Sequence, residues 1–473
     1  MMLDGVKSSD LLRFSSPLGN ATVFAMSDSP LDVAAESSSL APKKPYRVGR
    51  SDYRSRNHDS AHHDPAGNHP QPPIHPLIPR GDAEMINTPA GLQSLISQLR
   101  AAGRFAYDSE FIGELTYIPK LCLIQVASAD RVSLIDPLAK LDLTSFWELL
   151  CDPAIEKIVH AGSQDLEPVF RHTKGRPANI FDTQIAAGFI GMTYPVSLSK
   201  LVREITAVPL TKGLTFTHWD QRPLSSSQLR YAADDVRYLI AVREEIGHRL
   251  ESLGHTVWAA AECEALCDPS LYQFDPEHQY RRVRGATSLH PTGLAVLREL
   301  VIWRDRCARA HDLPPRSFLR DEILVDLARN PVKSVDKLNR VKGLPRPVEI
   351  GHGSEIIEAM SRATALPQDD LPPTRQREET PVEKFRADAL WCAIEALCFG
   401  RGIDPNLIAN RSEIGQLHRH LTTGEEPGEI RLLTGWRREA IGTPLLALVQ
   451  TDLSLVMRWN EGSLSVSSAR RPS

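Results

Sequence analysis

The chain has 473 residues, 41% of them hydrophobic, and its 55 Lys and Arg stand against 59 Asp and Glu for a net charge of -4. That length exceeds what one core organises, so two or more domains are expected, and the charge excludes a uniformly basic nucleic-acid coat: any hold on phosphate must come from local patches or metal ions. The seven cysteines (Cys122, Cys151, Cys263, Cys267, Cys307, Cys392, Cys398) are odd in number and contain no Cys-x-x-Cys pair, which speaks against a disulfide framework or a structural zinc site and fits a reducing cytoplasm.

Residues 1–84 carry no hydrophobic periodicity and are rich in Ser, Pro, Asp, Arg and His, the composition of a disordered tail. The segment lacks the apolar run of a secretory signal, and no stretch of the chain is apolar enough to span a bilayer. Lys43, Lys44, Arg47, Arg50, Arg54 and Arg56 form a basic stripe that reads as a solvated tail, and His58, His62, His63, His69 and His75 form a tract without fixed metal-binding geometry. Ordered sequence begins near Met85, which with Met26 is an alternative start.

From there the pattern changes. Pro89 to Ala102 predicts an amphipathic helix with Leu92, Leu95, Ile96 and Leu99 on one face. Three strands follow, over 104–111, 120–127 and 131–135, with a turn at Ser128-Ala-Asp130, and make a meander. Helix 143–150, strand 157–160, helix 164–172, strand 179–181 and helix 183–190 then alternate, which implies a parallel extension of the sheet, and a single long helix is predicted over 226–250. The expected organisation is a tail (1–84), an α/β domain (85–250), a helical linker (251–288), an all-α domain (289–366), a linker (367–380), a second all-helical segment (381–462) and a frayed end (463–473).

Carboxylates punctuate the α/β segment. Asp108 and Glu110 are two apart on a strand and so share a face. Tyr231 and Asp235 are four apart on a helix and share one too. Asp165 opens a helix that follows a strand, and active-site groups of such folds gather at the carboxyl ends of strands. Singly these are commonplace: an Asp-x-Glu on a strand faces solvent, a Tyr-x-x-x-Asp is structural, and Asp165 caps its helix. Together, in this chain order, four carboxylates and a phenol suit a hydrolase that uses two divalent cations against an anionic phosphodiester, because Mg²⁺ and Mn²⁺ take oxygen ligands.

The segments Phe105-Ala-Tyr-Asp-Ser-Glu-Phe111, with Tyr117-Ile-Pro-Lys-Leu-Cys-Leu-Ile-Gln-Val126 after it, His160-Ala-Gly-Ser-Gln-Asp-Leu-Glu167 and Tyr231-Ala-Ala-Asp-Asp-Val-Arg-Tyr-Leu239 resemble the three exonuclease motifs of ribonuclease D, in the tyrosine subclass of the DEDD exonucleases. Phe181-Asp-Thr-Gln-Ile185 and Trp219-Asp-Gln-Arg-Pro-Leu224 match as well, and the resemblance spans about Met85 to Leu250. It implies a ribonuclease-H-like α/β fold and 3′-to-5′ hydrolysis of RNA. Asp108, Glu110 and Asp235 would hold a first cation, Asp108 would bridge to a second with Asp165 assisting, and Tyr231 would orient the attacking water. The family spacing selects Asp235 over Asp234 and leaves Asp234 without a role.

Around this set, His160 and Gln164 are candidate substrate contacts, with a satisfied core histidine as the plain alternative for His160. Lys212 is a candidate phosphate contact or an ordinary surface lysine, Phe111 a candidate wedge against the terminal base, and Gln125 lines the cleft or sits in the sheet. Trp219 and Arg222 read as structural.

In the helical half, Leu294, Leu297, Leu300, Val301 and Trp303 form a core face, with Arg298, Arg304, Arg306 and Arg309 on the rest of the helix. This segment resembles an HRDC domain, the small helical module of ribonuclease D and RecQ-type helicases, and Lys333, Lys337, Arg340 and Lys342 add to its phosphate-binding potential. Gly435-Trp-Arg-Arg-Glu-Ala-Ile-Gly442 resembles the C-terminal HRDC-like module of ribonuclease D, and no Gly-x-x-x-x-Gly-Lys-Ser/Thr loop of a helicase is present. The resemblance therefore implies an exoribonuclease domain followed by two HRDC-type domains, a monomer that trims free 3′ ends of transfer RNA precursors and other structured RNAs in the cytoplasm. The rival readings are a 3′-to-5′ DNA exonuclease and a non-catalytic RNA-binding scaffold.

Overall fold

The structure is a computed structural model that describes residues 75–210, 218–373, 379–424, 430–450, 453–460 and 463–470. The basic stripe, the His-rich tract up to His69, and Lys212 lie outside these residues.

A six-stranded mixed sheet organises the first half, in the order β1-β4-β3-β2-β5-β6. Its strands are β1 (Glu84–Ile86), β2 (Arg104–Ile112), β3 (Lys120–Ala127), β4 (Val132–Ile135), β5 (Glu156–Val159) and β6 (Ile180–Asp182). β2, β3 and β4 are the antiparallel meander, while β5 and β6 extend it in parallel, as the helix–strand alternation predicts. β1 pairs in parallel with β4 at the sheet edge; three residues carry too little periodicity to be read as a strand from sequence.

Helix α1 (Pro89–Ala102) shows why the local signals were readable. Thr88 accepts a hydrogen bond from the Gly91 amide, Pro89 opens the helix, and Gly103 closes it at φ 68°, where a side chain would be strained. Its Leu92, Leu95, Ile96 and Leu99 are buried with α2 (Thr144–Cys151) and α3 (Ser163–His172) against one face of the sheet, around Phe105, Tyr107, Ile124 and Val126. Two smaller helices, α4 (Thr183–Gly188) and α5 (Leu198–Thr206), follow β6; α5 has no counterpart among the expected elements. The other face is covered by α6 (Ser226–Arg237), whose Ala232, Ala233 and Val236 are buried.

The single helix expected over 226–250 is in fact two. α6 ends before Tyr238, whose φ of -97° and ψ of -11° stay in the right-handed region but open the helix by one residue, and α7 (Leu239–Leu253) starts anew. The amphipathic pattern continues through the break because both helices cover the same domain, so periodicity alone hides it. α8 (Thr256–Ala265) and the short α9 (Pro276–Gln279) lead out of the domain.

The helical unit that follows comprises α10 (Pro291–Ala310), α11 (Pro315–Phe318), α12 (Asp321–Arg329) and α13 (Arg346–Thr364), around a core that includes Leu297, Leu300, Trp303, Leu324 and Ile356. The loop between β2 and β3 docks on it. The Tyr117 hydroxyl donates to Asp305 at 2.6 Å, the Tyr117 amide donates to Asp312 at 3.1 Å, and the Arg309 guanidinium lies 4.7 Å from the Tyr117 ring centre.

The last helices are α14 (Pro381–Arg401), α15 (Pro405–Ile408), α16 (Arg411–Thr423), α17 (Gly435–Arg437) and α18 (Thr443–Gln450). They share one apolar core with the α/β domain, in which Ile185, Phe189, Leu201 and Ile246 meet Ile394, Leu407, Leu432 and Ile441. Trp436 packs on Phe189 at 4.7 Å and donates to Glu262 at 2.9 Å, while Arg437 pairs with Glu262 at 2.6 Å. Where an all-helical segment to 462 and then a frayed end were expected, β7 (Leu453–Asn460) and β8 (Ser463–Arg470) pair with each other as a hairpin. The alternation in Leu453-Ser-Leu and Ser463-Leu-Ser-Val-Ser is the period-two signal of a strand.

Candidate active site

β2 is central to the sheet, but β5 accompanies it only from Arg104 to Ala106. Beyond that point one side of β2 is free of a parallel neighbour, and a cleft opens where α3 begins. Asp108 and Glu110 project from this free half toward α6, which presents Tyr231 and Asp235. Carboxylate oxygens of Asp108, Glu110 and Asp235 all lie within 4.8 Å of one another. They line a cavity of about 300 Å³ together with Ser109, Phe111, His160, Gln164, Asp165 and Tyr231. Residues scattered from 108 to 235 are thus brought together as the sequence motifs require.

Asp165 reaches the cavity from the opposite face of the sheet, because α3 packs on the Tyr107 side. It is therefore outside the tight cluster of three but is firmly held. The Ser109 hydroxyl donates to its carboxylate at 2.5 Å and the Tyr107 hydroxyl donates to its backbone carbonyl at 2.7 Å. β2 consequently serves both halves of the site, with Asp108 and Glu110 on one face and Tyr107 and Ser109 on the other.

The turn before Asp165 has its own support, which sequence reasoning missed. Ala161 adopts φ 58°, an uncommon conformation for a residue with a side chain. The buried carboxylate of Asp182 accepts hydrogen bonds from the amides of Ala161, Gly162, Gln184 and Ile185, at 3.1, 3.0, 2.8 and 3.3 Å. A Cβ at Gly162 would come within 2.6 Å of Val159. The signal was present in Phe181-Asp-Thr-Gln-Ile185, but only the fold shows that Asp182 holds the turn.

Among the described residues, the cluster has no counter-charge at its lining: no lysine or arginine lines the cavity. Burial, followed by the nearby carboxylates, pushes Asp108 well above its usual range and Glu110 up to about 8. Burial and Asp234 push Asp235 up to about 7, and burial pushes Asp165 up to about 6. Burial and Asp235 also raise the Tyr231 phenol, which keeps it protonated, and it hydrogen-bonds with Asp235. A set of oxygen donors that burial drives toward neutrality fits a hard divalent cation, whose charge would reverse those shifts.

The remaining expectations divide. Asp234 turns away from the cluster toward Arg237 at 3.3 Å, and Arg237 donates to the Pro79 carbonyl at 2.7 Å, so this acid anchors the entry segment. His160 is engaged at both ring nitrogens, by Thr183 at 3.0 Å and the Val196 carbonyl at 3.1 Å, and burial lowers its pKa; the plain reading of a satisfied histidine holds even though the ring borders the cavity. Gln164 is exposed at the rim, and Phe111 is half-buried in the cavity wall. Gln125 pairs with Asp108 across the sheet and is fully buried, with neither amide atom hydrogen-bonded among the described residues. Trp219 packs 6.1 Å from the Tyr231 ring. Arg222 grips Asp136 through two nitrogens at 2.6 and 2.7 Å, and donates at 2.7 Å to the carbonyl of Cys122, the extra residue where the β2–β3 register shifts beside Glu110. Both are structural, and both stand directly behind catalytic candidates.

Comparison with known proteins agrees with this geometry. Residues 83–251 match the family model described as 3′-5′ exonuclease, and residues 293–360 match that of the HRDC domain. The ribonuclease D of Gluconacetobacter diazotrophicus is 36% identical over 371 residues, covering 78% of this chain and 93% of the relative. That of Serratia proteamaculans is 35% identical over 76% of this chain and 97% of the relative. The crystal structure of Escherichia coli RNase D, an exoribonuclease involved in structured RNA processing, superposes with a TM-score of 0.68 at 32% identity, covering 78% of this chain and 99% of that one. An α/β exonuclease domain, a helical HRDC domain and a close cluster of carboxylates in a family that uses divalent metals lead to one assignment: the chain belongs to the ribonuclease D family of 3′-to-5′ exoribonucleases.

Proposed function

We propose that the chain removes nucleotides from free 3′ ends of structured RNAs, transfer RNA precursors among them, as a cytoplasmic monomer that works with two divalent cations, Mg²⁺ or Mn²⁺. The observation that carries this reading is the meeting of Asp108, Glu110 and Asp235 within 4.8 Å in a cavity that Asp165 and Tyr231 also line. Asp108, Glu110 and Asp235 would hold the first cation, and Asp108 with Asp165 the second. The cations, when bound, supply Lewis-acid neutralisation of the phosphodiester and of its leaving oxygen.

The chain's own groups do the rest. Tyr231, kept protonated by its surroundings and held by Asp235, orients the attacking water through its hydroxyl. Ser109 and Tyr107 fix Asp165 so that its carboxylate needs no reorganisation. Phe111 offers its ring to the terminal base, and Gln164 at the rim offers an amide to the same nucleotide. The apolar core shared by the α/β domain and α14–α18 supports a second HRDC-like module at 381–462 that acts as a fixed wall of the nuclease.

The test is incubation of the purified chain with a 3′-extended transfer RNA, with and without Mn²⁺, beside a DNA oligonucleotide of matched sequence. Stepwise shortening of the RNA from its 3′ end, dependent on the cation and lost in Asp108→Asn, is the expected result. Equal turnover of DNA would favour the DNA exonuclease, and no turnover of either would leave a binding scaffold.

A further inference from the structure

The HRDC domain contains a second group of metal-type donors, of a different chemistry from the catalytic one. Cys307 lies near the end of α10, and His352 and Glu355 lie one turn apart on α13. The two helices pack together so that Cys307 Sγ is 3.8 Å from His352 Nδ1 and 3.9 Å from Glu355 Oε2, while His352 Nδ1 is 3.0 Å from Glu355 Oε1. All three donors fall within 4.8 Å of one another. A tetrahedral zinc ion, with Zn–S about 2.3 Å and Zn–N and Zn–O about 2.1 Å, requires edges of about 3.4–3.6 Å. The Cys307–His352 separation exceeds its edge by about 0.2 Å and the His352–Glu355 Oε1 separation falls short of its edge by about 0.4 Å, while the donors as a set lie within 4.8 Å of one another, so side-chain rotation would have to close the sulfur–carboxylate edge.

The surroundings resemble the support that metal ligands receive. Glu355 Oε2 is held by Trp303 Nε1 at 3.1 Å and by Arg306 at 2.7 Å, which leaves Oε1 turned toward His352. Arg306 is the cation facing the group: it pairs with Glu355 Oε2 at 2.7 Å and also hydrogen-bonds the Cys307 sulfur, so an incoming ion must displace it from the thiol. His311 follows Cys307 by one turn. Its Nδ1 bonds to the Cys307 carbonyl at 2.9 Å and its ring lies 5.4 Å from that of His352, outside the group of three donors, so the fourth position would fall to water. A mixed thiol, imidazole and carboxylate set is borderline-soft and suits zinc rather than the magnesium expected at the all-carboxylate site.

We infer that Cys307, His352 and Glu355 form a zinc site that fastens the first helix of the HRDC domain to its last. The inference is independent of the nuclease reading. Spacing along the chain conceals such a site, because its donors lie on two helices separated by 45 positions between Cys307 and His352.

The test uses the full chain stripped with chelator and titrated with Co²⁺ in excess Mg²⁺, which occupies the carboxylate cluster. A thiolate-to-cobalt charge-transfer band that saturates at one equivalent, is displaced by Zn²⁺, persists in Asp108→Asn and is absent from Cys307→Ser is the expected result. Glu355→Gln keeps the thiol, and should weaken Co²⁺ binding by about tenfold to a hundredfold while the band survives. Absence of the band in the wild-type chain, or its persistence in Cys307→Ser, overturns the site and leaves the group as a hydrogen-bonded polar cluster.

Discussion

Glu110→Gln should make the metal-free protein more stable and the enzyme inactive. In the folded chain Glu110 rises from 4.5 to about 8, through burial and then the charges of Asp235 and Asp165. A raised folded-state pKa means that the native state holds this proton more tightly than the unfolded chain. The stability it contributes is therefore full below 4.5 and is lost as pH climbs toward about 8. At about 1.4 kcal/mol per unit, the span corresponds to about 5 kcal/mol. That figure is a ceiling, since water entering an open cleft screens the charges, and a gain on the order of 2 kcal/mol is expected for the neutral variant at about pH 8. Urea unfolding in EDTA, at about pH 5 and about pH 8, should show wild type losing stability across the interval and Glu110→Gln losing less. Divalent cation should restore the wild-type chain at the higher pH and do less for the variant, because the variant lacks one of the three carboxylates assigned to the first cation and binds it more weakly. If Glu110→Gln is no more stable than wild type in EDTA at about pH 8, the reasoning that these buried acids repel one another is wrong.

Other perturbations test the supports. Tyr231→Phe should lower kcat by roughly a hundredfold with KM little changed, because the phenol is assigned to the attacking water and not to the bound RNA. Asp182→Ala removes the acceptor for four backbone amides and should cost about 3 kcal/mol in urea unfolding, with activity falling in the fraction that remains folded. Gly162→Ala drives a Cβ to 2.6 Å from Val159 and should reduce activity through displacement of Asp165 while the far-ultraviolet circular dichroism stays unchanged. Gly188→Ala sets a Cβ 2.6 Å from Leu407 and should loosen the C-terminal helices, read as faster limited proteolysis of α14–α18 at a cost of about 1–3 kcal/mol.

Much of this protein is written in local pattern. Thr88, Pro89 and Gly103 bracket α1 without help from the rest of the chain, and the alternation of β2 puts Asp108 and Glu110 on one face wherever that strand is placed. Helical periodicity lets both Asp234 and Asp235 lie near Tyr231, and it is the resemblance to the ribonuclease D motif that selects Asp235. Tertiary structure decided what local pattern cannot encode. The break at Tyr238 is invisible because α6 and α7 bury continuous apolar faces on one domain. The support of Asp165 by Ser109 depends on α3 packing on the reverse of the sheet, and the grip of Asp182 on residues 161 and 162 joins two βα turns about twenty positions apart. Cys307, His352 and Glu355 meet only because α10 and α13 are antiparallel neighbours in the HRDC core. Hydrogen bonds and rotamer limits between near neighbours shape the first kind of feature, and these act at short range along the chain. Burial and charge between distant segments shape the second, and these exist only once the chain has closed on itself.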